Sequence, residues 1–167
     1  MSEFSPLHKR RLCLSTISSG LVPLGKDELH YIHTVLRLKA GEPLEVFDGR
    51  GNFASAIVAD IGKKQGFVEI DTVQHCPPTL PRLTIAMTTP KRDRADWAIE
   101  KLTELGADCV QWLESTRSVR VAKATGERLA RWKRIAKAAL SQSGGYFLPT
   151  IKAPIGLEEF LNQPFDH

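Results

Sequence analysis

Four short runs in which apolar and polar residues alternate dominate the first half of the chain: RRLCLSTI, EPLEVFDG, FASAIVADI and GFVEIDTV. A period of two turns one side of an extended strand inward, and the interruptions DGRGN and GKKQG supply the glycines and small polar residues that tight reversals need. These runs predict antiparallel strands joined by hairpins. KDELHYIHTVLRL follows a different rhythm, with Leu29, Ile32, Leu36 and the neighbouring Val35 at helical spacing. One helix covering a small barrel-like sheet is expected there.

CPPTLP, residues 76–81, ends this pattern. Prolines so close together cannot continue a helix or donate to a central sheet ladder, so the stretch reads as a linker between a domain at 1–75 and another at 82–167. Beyond it, strand and helix alternate. RLTIAMTTP is a short apolar run, and DRADWAIEKLTELG is an amphipathic helix with Ala98, Leu102 and Leu105 on one face and Gly106 as its C-terminal cap. ADCVQWLES is strand-like again. GERLARWKRIAKAALSQSG makes a second helix on Leu129, Trp132, Ala136, Ala139 and Leu140, before TIKAP and GLEEFLNQ begin a third repetition. Such alternation predicts a parallel sheet with helices on its faces. Three strands are few for a sheet of this kind, so the chain is expected to continue past His167.

Composition narrows the class without deciding it. The 167 residues are 42% hydrophobic and 25% charged, which excludes a disordered or fibrous chain. Lys and Arg outnumber Asp and Glu by 23 to 19, for a net charge of +4, so an anionic partner is favoured mildly. No apolar run approaches the roughly 18 residues of a membrane span, and residues 1–19 lack a signal-like apolar core; a cytoplasmic protein is expected. Cys13, Cys76 and Cys109 are far apart and lack metal-ligand spacing, so they read as reduced, mostly buried thiols, with no metal site.

Candidate chemistry gathers in the second half. Lys91, Arg92 and Arg94 lie where a strand passes into a helix, at the carboxyl edge of the expected sheet, where open α/β folds place their ligands. They read either as a solvated basic loop or as phosphate contacts. Glu100 and Glu104 fall one turn apart and read as an exposed face balanced by Lys101. Arg128, Arg131, Lys133, Arg134 and Lys137, with Arg117, Arg120 and Lys123 upstream, form a basic run almost without acids after Glu127, and a phosphate-binding surface is the better reading. Tyr146 and Phe147 are expected to pack on the sheet rather than stack on a base. No nucleophile elbow or phosphate-cradling glycine loop is present, and His30 and His33 read as packed or surface residues.

Three stretches together resemble one family. HYIHTVLRLKAGEPLEVFDGRG is similar to the amino-terminal signature of the 16S ribosomal RNA uridine N3-methyltransferases, the RsmE family. DWAIEKLTELGAD resembles that family's Glu-Lys, two residues, Glu-Leu-Gly helix; RSV followed by RWKRIAKAALSQS resembles its Arg-Ser loop, Arg-Trp helix and Gln-Ser end.

The resemblance implies an α+β chain of two domains, a PUA-like RNA-binding β-barrel followed by a knotted SPOUT-class α/β methyltransferase domain. It implies S-adenosylmethionine as methyl donor, 16S rRNA or the small ribosomal subunit as partner, and a homodimer. His30 and Arg37 match the first signature; Lys91, Glu100, Lys101, Glu104 and Gly106 match the second; Arg117, Ser118, Arg131, Trp132, Gln142 and Ser143 match the third. RNA contacts are expected from Arg37, Lys91, Arg92, Arg117, Ser118, Arg131, Arg134, Gln142 and Ser143, with Arg117 as the candidate catalytic residue that stabilises charge on the uracil. Glu100, Glu104 and Trp132 are expected to be structural. Gly145 and Ala138 depart from the pattern, standing where many members carry Arg and Glu. The family's Gly-Pro-Glu-Gly-Gly loop, which threads the knot and holds the donor, is expected beyond His167. A rival reading is a non-catalytic RNA-binding module made of the barrel and the basic helix.

Overall fold

A computed structural model of the chain describes residues 10–62, 64–90, 92–114 and 126–163. Its class is α+β, and it forms two compact units: Met1–Pro78 with Leu140–Phe147, and Thr79–Ala139 with Leu148–His167.

The first unit is a sheet of six strands, β1 (Arg11–Cys13), β2 (Gly20–Pro23), β3 (Pro43–Phe47), β4 (Asn52–Ile61), β5 (Gly66–Ile70) and β6 (Gln74–His75). Their order is β1-β3-β4-β5-β2, with β6 also on β4. β3, β4 and β5 pair as the expected antiparallel hairpins. Alternation then turns Leu44 and Val46, Ala54, Ala56 and Val58, and Val68 and Ile70 into one core.

Two features differ from the hairpin expectation. β1 pairs with β3 in parallel, because the chain between them runs through β2 and a helix, and parallel neighbours need such a crossover. β2 and β6 escape the alternation signal, since they are only four and two residues long.

The covering helix also departs from expectation. α1 (Lys26–Tyr31) widens into a π-helical turn, Ile32–Leu36, which ends on Arg37 at φ 53°. Leu29 and Ile32 are buried as the spacing predicts. The wider turn then changes the phase of the helix, and Val35, expected on the inner stripe, lies exposed.

The second unit contains β7 (Thr84–Thr88), α2 (Arg92–Glu104), β8 (Cys109–Glu114), α3 (Gly126–Ser143) as far as Ala139, β9 (Thr150–Gly156) and α4 (Leu157–Leu161). The sheet is parallel throughout, in the order β7-β8-β9. Ala95, Ala98 and Ile99 of α2 and Trp132 and Ala136 of α3 pack on Val110, Trp112 and Ile151 of the sheet. The rings of Trp112 and Trp132 lie 5.0 Å apart. α2 ends as the glycine predicts: Gly106 takes φ 79°, its N–H reaches Thr103 O, and that of Ala107 reaches Leu102 O. Leu105, expected on the buried face, is 79% exposed, because the helix has already stopped at Glu104 and the reversal turns it outward. Of the thiols expected to be mostly buried, Cys13 is, while Cys76 and Cys109 are half-buried.

Residues 140–147 join the first unit through a buried cation. Arg11 and Phe47 point to the face of the sheet opposite the core, yet their exposures are 1% and 0%. The Arg11 guanidinium donates through Nε to Glu45 Oε1 at 2.6 Å, and through its two terminal nitrogens to Leu140 O and Gly145 O, each at 2.8 Å. It also lies 4.4 Å from the ring centre of Phe47 and 4.9 Å from that of Tyr146. Replacing it with alanine removes the cation from a largely buried carboxylate and the donor from one buried and one partly buried carbonyl. Arg11→Ala is therefore expected to lower stability by about 3–5 kcal/mol, read as the shift in urea midpoint; a change below about 1 kcal/mol would show that the pair is not what fastens this segment.

Candidate nucleic-acid interface

The carboxyl edge of the parallel sheet is where the first turns of α2 and α3 meet. A cleft of about 480 Å³ opens there, lined by Pro90, Asp93, Asp96, Glu127, Arg128, Arg131 and Trp132 among others. Asp96 organises it. Its Oδ2 accepts from Arg131 Nε at 2.9 Å and Nη2 at 2.6 Å, and its Oδ1 accepts from Trp132 Nε1 at 3.1 Å. The hydrogen bonds that Arg131 donates to Asp96, and the carboxylate's charge, hold the guanidinium even more firmly in its charged form. Arg128 lies 5.8 Å from the centre of the Trp132 ring.

The basic run on α3 is thus partly answered by acids from another helix. The cleft presents three carboxylates, Asp93, Asp96 and Glu127, to two guanidiniums, so it is not a cationic pocket. Lys133 and Arg134 are exposed on the rest of α3. On α2, Lys101 bridges Glu100 at 2.8 Å and Glu104 at 3.0 Å, and those two hydrogen bonds raise its affinity for its proton. Trp132 is 1% exposed and belongs to the core. Arg92 opens α2, whereas Lys91, Arg117 and Ser118 lie outside the described residues.

In the first unit, Arg37 is exposed at the end of the π-helical turn. Gln142 and Ser143 are exposed on the last turn of α3. The segment that follows them is well fixed. Tyr146 stacks on Phe53 at 4.3 Å, its hydroxyl donates to Glu45 Oε2 at 3.2 Å, and its carbonyl accepts from Gly51 N at 3.0 Å. Gly51 permits this approach, since its φ is 96° and a Cβ there would stand 2.6 Å from Phe147 Cζ. A side chain at Gly145 would likewise meet Leu140 Cδ1 at 2.7 Å; the glycine that departs from the family pattern lies against a buried leucine.

Arg11, Glu45 and Asp96 were not singled out from the sequence. Alternation places Arg11 and Glu45 on the outer side of their strands, and nothing local reveals that residues 140–147 cover that side. Asp96 lies four residues into α2 and finds partners some 35 positions away.

Two outcomes follow for these groups. Burial, then the adjacent Glu45 carboxylate, pushes the Tyr146 phenol up to about 12. The raised value means that the folded state prefers the protonated phenol, so its contribution to stability is complete below the ordinary tyrosine pKa of about 10 and is lost as pH rises through about 12. Absorbance titration at 295 nm should show a phenolate step near pH 12 that is missing in Tyr146→Phe. Asp96→Ala strands the buried Trp132 indole N–H and should cost about 1–3 kcal/mol in chemical denaturation. Asp96→Asn retains an acceptor and should cost clearly less; equal losses would show that the indole bond is not the cause.

The RNA methyltransferase domain family matches residues 78–167, and the RNA methyltransferase PUA domain family matches residues 24–71. The chain is 31% identical over 164 residues to the ribosomal RNA small subunit methyltransferase E of a Synechocystis species, covering 97% of this chain and 52% of the relative. A solved structure of the Neisseria gonorrhoeae ribosomal RNA small subunit methyltransferase E, bound to S-adenosylmethionine, superposes with a TM-score of 0.83 at 29% identity, covering 94% of this chain and 66% of that one. A Legionella pneumophila methyltransferase, also holding S-adenosylmethionine, gives a TM-score of 0.82 at 26% identity, over 94% and 67% of the two chains. The chain spans about half the length of the curated relative it matches. With a mixed six-stranded sheet and a parallel sheet standing where these two families match, the chain belongs to the RNA methyltransferase domain family, is similar to proteins named ribosomal RNA small subunit methyltransferase E, and has the fold of a PUA-like barrel followed by a SPOUT-class α/β domain.

Proposed function

We propose that this chain is the RNA-binding and structural part of an enzyme that transfers a methyl group from S-adenosylmethionine to N3 of a uridine in 16S rRNA. The enzyme is read as a homodimer working in the cytoplasm on the small ribosomal subunit. The observation that carries this reading is the tandem match of both units to an RNA methyltransferase and its PUA domain. It is supported by the bound S-adenosylmethionine in the Neisseria gonorrhoeae relative.

The described residues do not by themselves suit the donor. In the cleft, Asp96 is already bonded by Arg131 and Trp132. The indole of Trp132 is 1% exposed, with Trp112 and Arg128 beside it, so the aromatic ring that lines the cleft is not open to an adenine. Thr89 Oγ1, buried just after β7, lacks a partner among the described residues, but one hydroxyl is no adenosine cradle. In this reading the donor is held elsewhere in the enzyme, and this chain holds RNA.

A uridine N3 is occupied when the base is paired, so the target must be unpaired and splayed before it can react. As its proton leaves, negative charge spreads over the uracil carbonyls. Arg117 is proposed to answer that charge. Arg37, Lys91, Arg92, Arg131, Arg134, Ser118, Gln142 and Ser143 are proposed to grip the neighbouring backbone. Arg131 does so while keeping its bond to Asp96, which fixes its planar fork.

Titrating the chain with unmodified 16S rRNA tests the reading. With the five cations named on the backbone, the slope of log K against log salt should be roughly −3.5, and calorimetry with S-adenosylmethionine should show no saturable heat. Binding of RNA that ignores salt, or none, would remove the RNA assignment. Saturable donor binding would place a donor site within this chain and overturn the division of labour.

A further inference from the structure

The turn between β3 and β4 is built around one carboxylate. Asp48 Oδ1 accepts the backbone N–H of Arg50 at 2.8 Å and of Asn52 at 3.2 Å, and its Oδ2 accepts the Asn52 amide Nδ2 at 2.7 Å. Asn52 Oδ1 then lies 2.9 Å from His75 Nδ1, across the β4–β6 pair. The turn is also held from outside: Gly51 donates to Tyr146 O and accepts from Cys76 N, and Arg50 bridges Phe147 through the backbone.

The order of these bonds fixes where the protons are. An ionised carboxylate only accepts, so the Asn52 group facing Asp48 must be its NH₂. The group facing His75 is therefore the amide oxygen, and the hydrogen on that contact belongs to His75 Nδ1. In the neutral ring this leaves Nε2 as a lone pair. His75 is exposed, and Nε2 has no partner among the described residues. Arg50 is exposed too, and its guanidinium has no ion pair among the described residues. Asp48, two residues away, makes no ion pair with it; its carboxylate faces the backbone N–H groups of the turn and the Asn52 amide instead.

An unpaired guanidinium on the turn and an unpaired acceptor on the strand paired beside it thus belong to one hydrogen-bonded unit. The first suits a phosphodiester. The second needs a donor, and a ribose carries one that deoxyribose lacks, the 2′-hydroxyl. We propose that the Asp48–Asn52 turn with His75 is a ribonucleotide-reading site, in which Arg50 binds a backbone phosphate and His75 Nε2 accepts a 2′-hydroxyl. This rests on the reading that the first unit binds RNA, and it adds to that reading a contact that tells RNA from DNA.

Fluorescence anisotropy of the whole chain tests it, with fluorescein-labelled oligouridylate and its 2′-deoxy counterpart as probes, at about pH 8, where an imidazole is ordinarily neutral. Wild type should prefer the RNA. Arg50→Ala should weaken both probes about tenfold and reduce the magnitude of the salt slope by about one. His75→Ala should weaken the RNA alone, reducing the RNA-to-DNA preference about fivefold to tenfold, with an unchanged melting temperature showing that the fold is kept. If Arg50→Ala leaves both curves in place, or His75→Ala weakens the two probes alike, the site is overturned while RNA binding by the unit survives. If wild type binds neither probe, the RNA reading of the unit falls with it, and the missing wild-type signal distinguishes that case.

Discussion

A guanidinium with no exposed surface cannot be left to water, and the first unit is arranged around that requirement. Arg11 has a side-chain exposure of 0%. Its attraction to Glu45 alone would not offset the loss of hydration on burial; buried pairs persist when the remaining donors are satisfied as well. Here Leu140 O and Gly145 O take those donors. The carbonyls come from the end of α3 and the loop after it, more than 120 positions away in sequence. A short strand in the barrel thus recruits a segment that follows most of a second unit, and the first unit is discontinuous in sequence.

The aromatic residues make the same segment specific as well as attached. Phe47 and Tyr146 flank the guanidinium, and Tyr146 reaches the second oxygen of the carboxylate that Arg11 already holds. Each member of this set satisfies another, so removing one leaves a buried group unpaired rather than merely weakening a contact. Gly51 and Gly145 belong to the set in a negative sense: each leaves room that a Cβ would fill. Rigidity at Tyr146 and Phe147 then passes to the turn at Asp48, which those residues hold through backbone bonds.

Much of this fold was legible wherever one face of an element is core and the other is solvent. β3, β4 and β5 show their alternation, the parallel sheet shows in the repeated strand and helix, and Gly106 marks its helix end. Reading failed where a second layer covers a face that alternation assigns to solvent, as at Arg11 and Phe47, and where the helix adds a residue to one turn, as at Val35. It also failed for β2, whose four residues are too few for a period to be seen. Gln142, Ser143, Arg37 and Arg134 stand out in the sequence by residue type and motif, and the structure leaves them exposed. Asp96 does not stand out, because its importance comes from two partners on another helix.

Charge shows the same limit in sharper form. Along the sequence, the densest cations are those of α3, and density is the natural guide to a phosphate surface. In the folded chain the relevant quantity is the cation left after local acids have been assigned. Arg10 meets Glu42, Arg11 meets Glu45, Lys101 meets Glu100 and Glu104, and Arg131 meets Asp96. Arg37 and Arg50 meet no acid among the described residues, and within the dense run neither do Arg128, Lys133 and Arg134. An arginine outside any ion pair offers its guanidinium to a polyanion, whereas Arg131 shares its field with the Asp96 carboxylate. Because an exposed ion pair contributes little to stability, such pairs act chiefly by deciding which cations remain open to a polyanion.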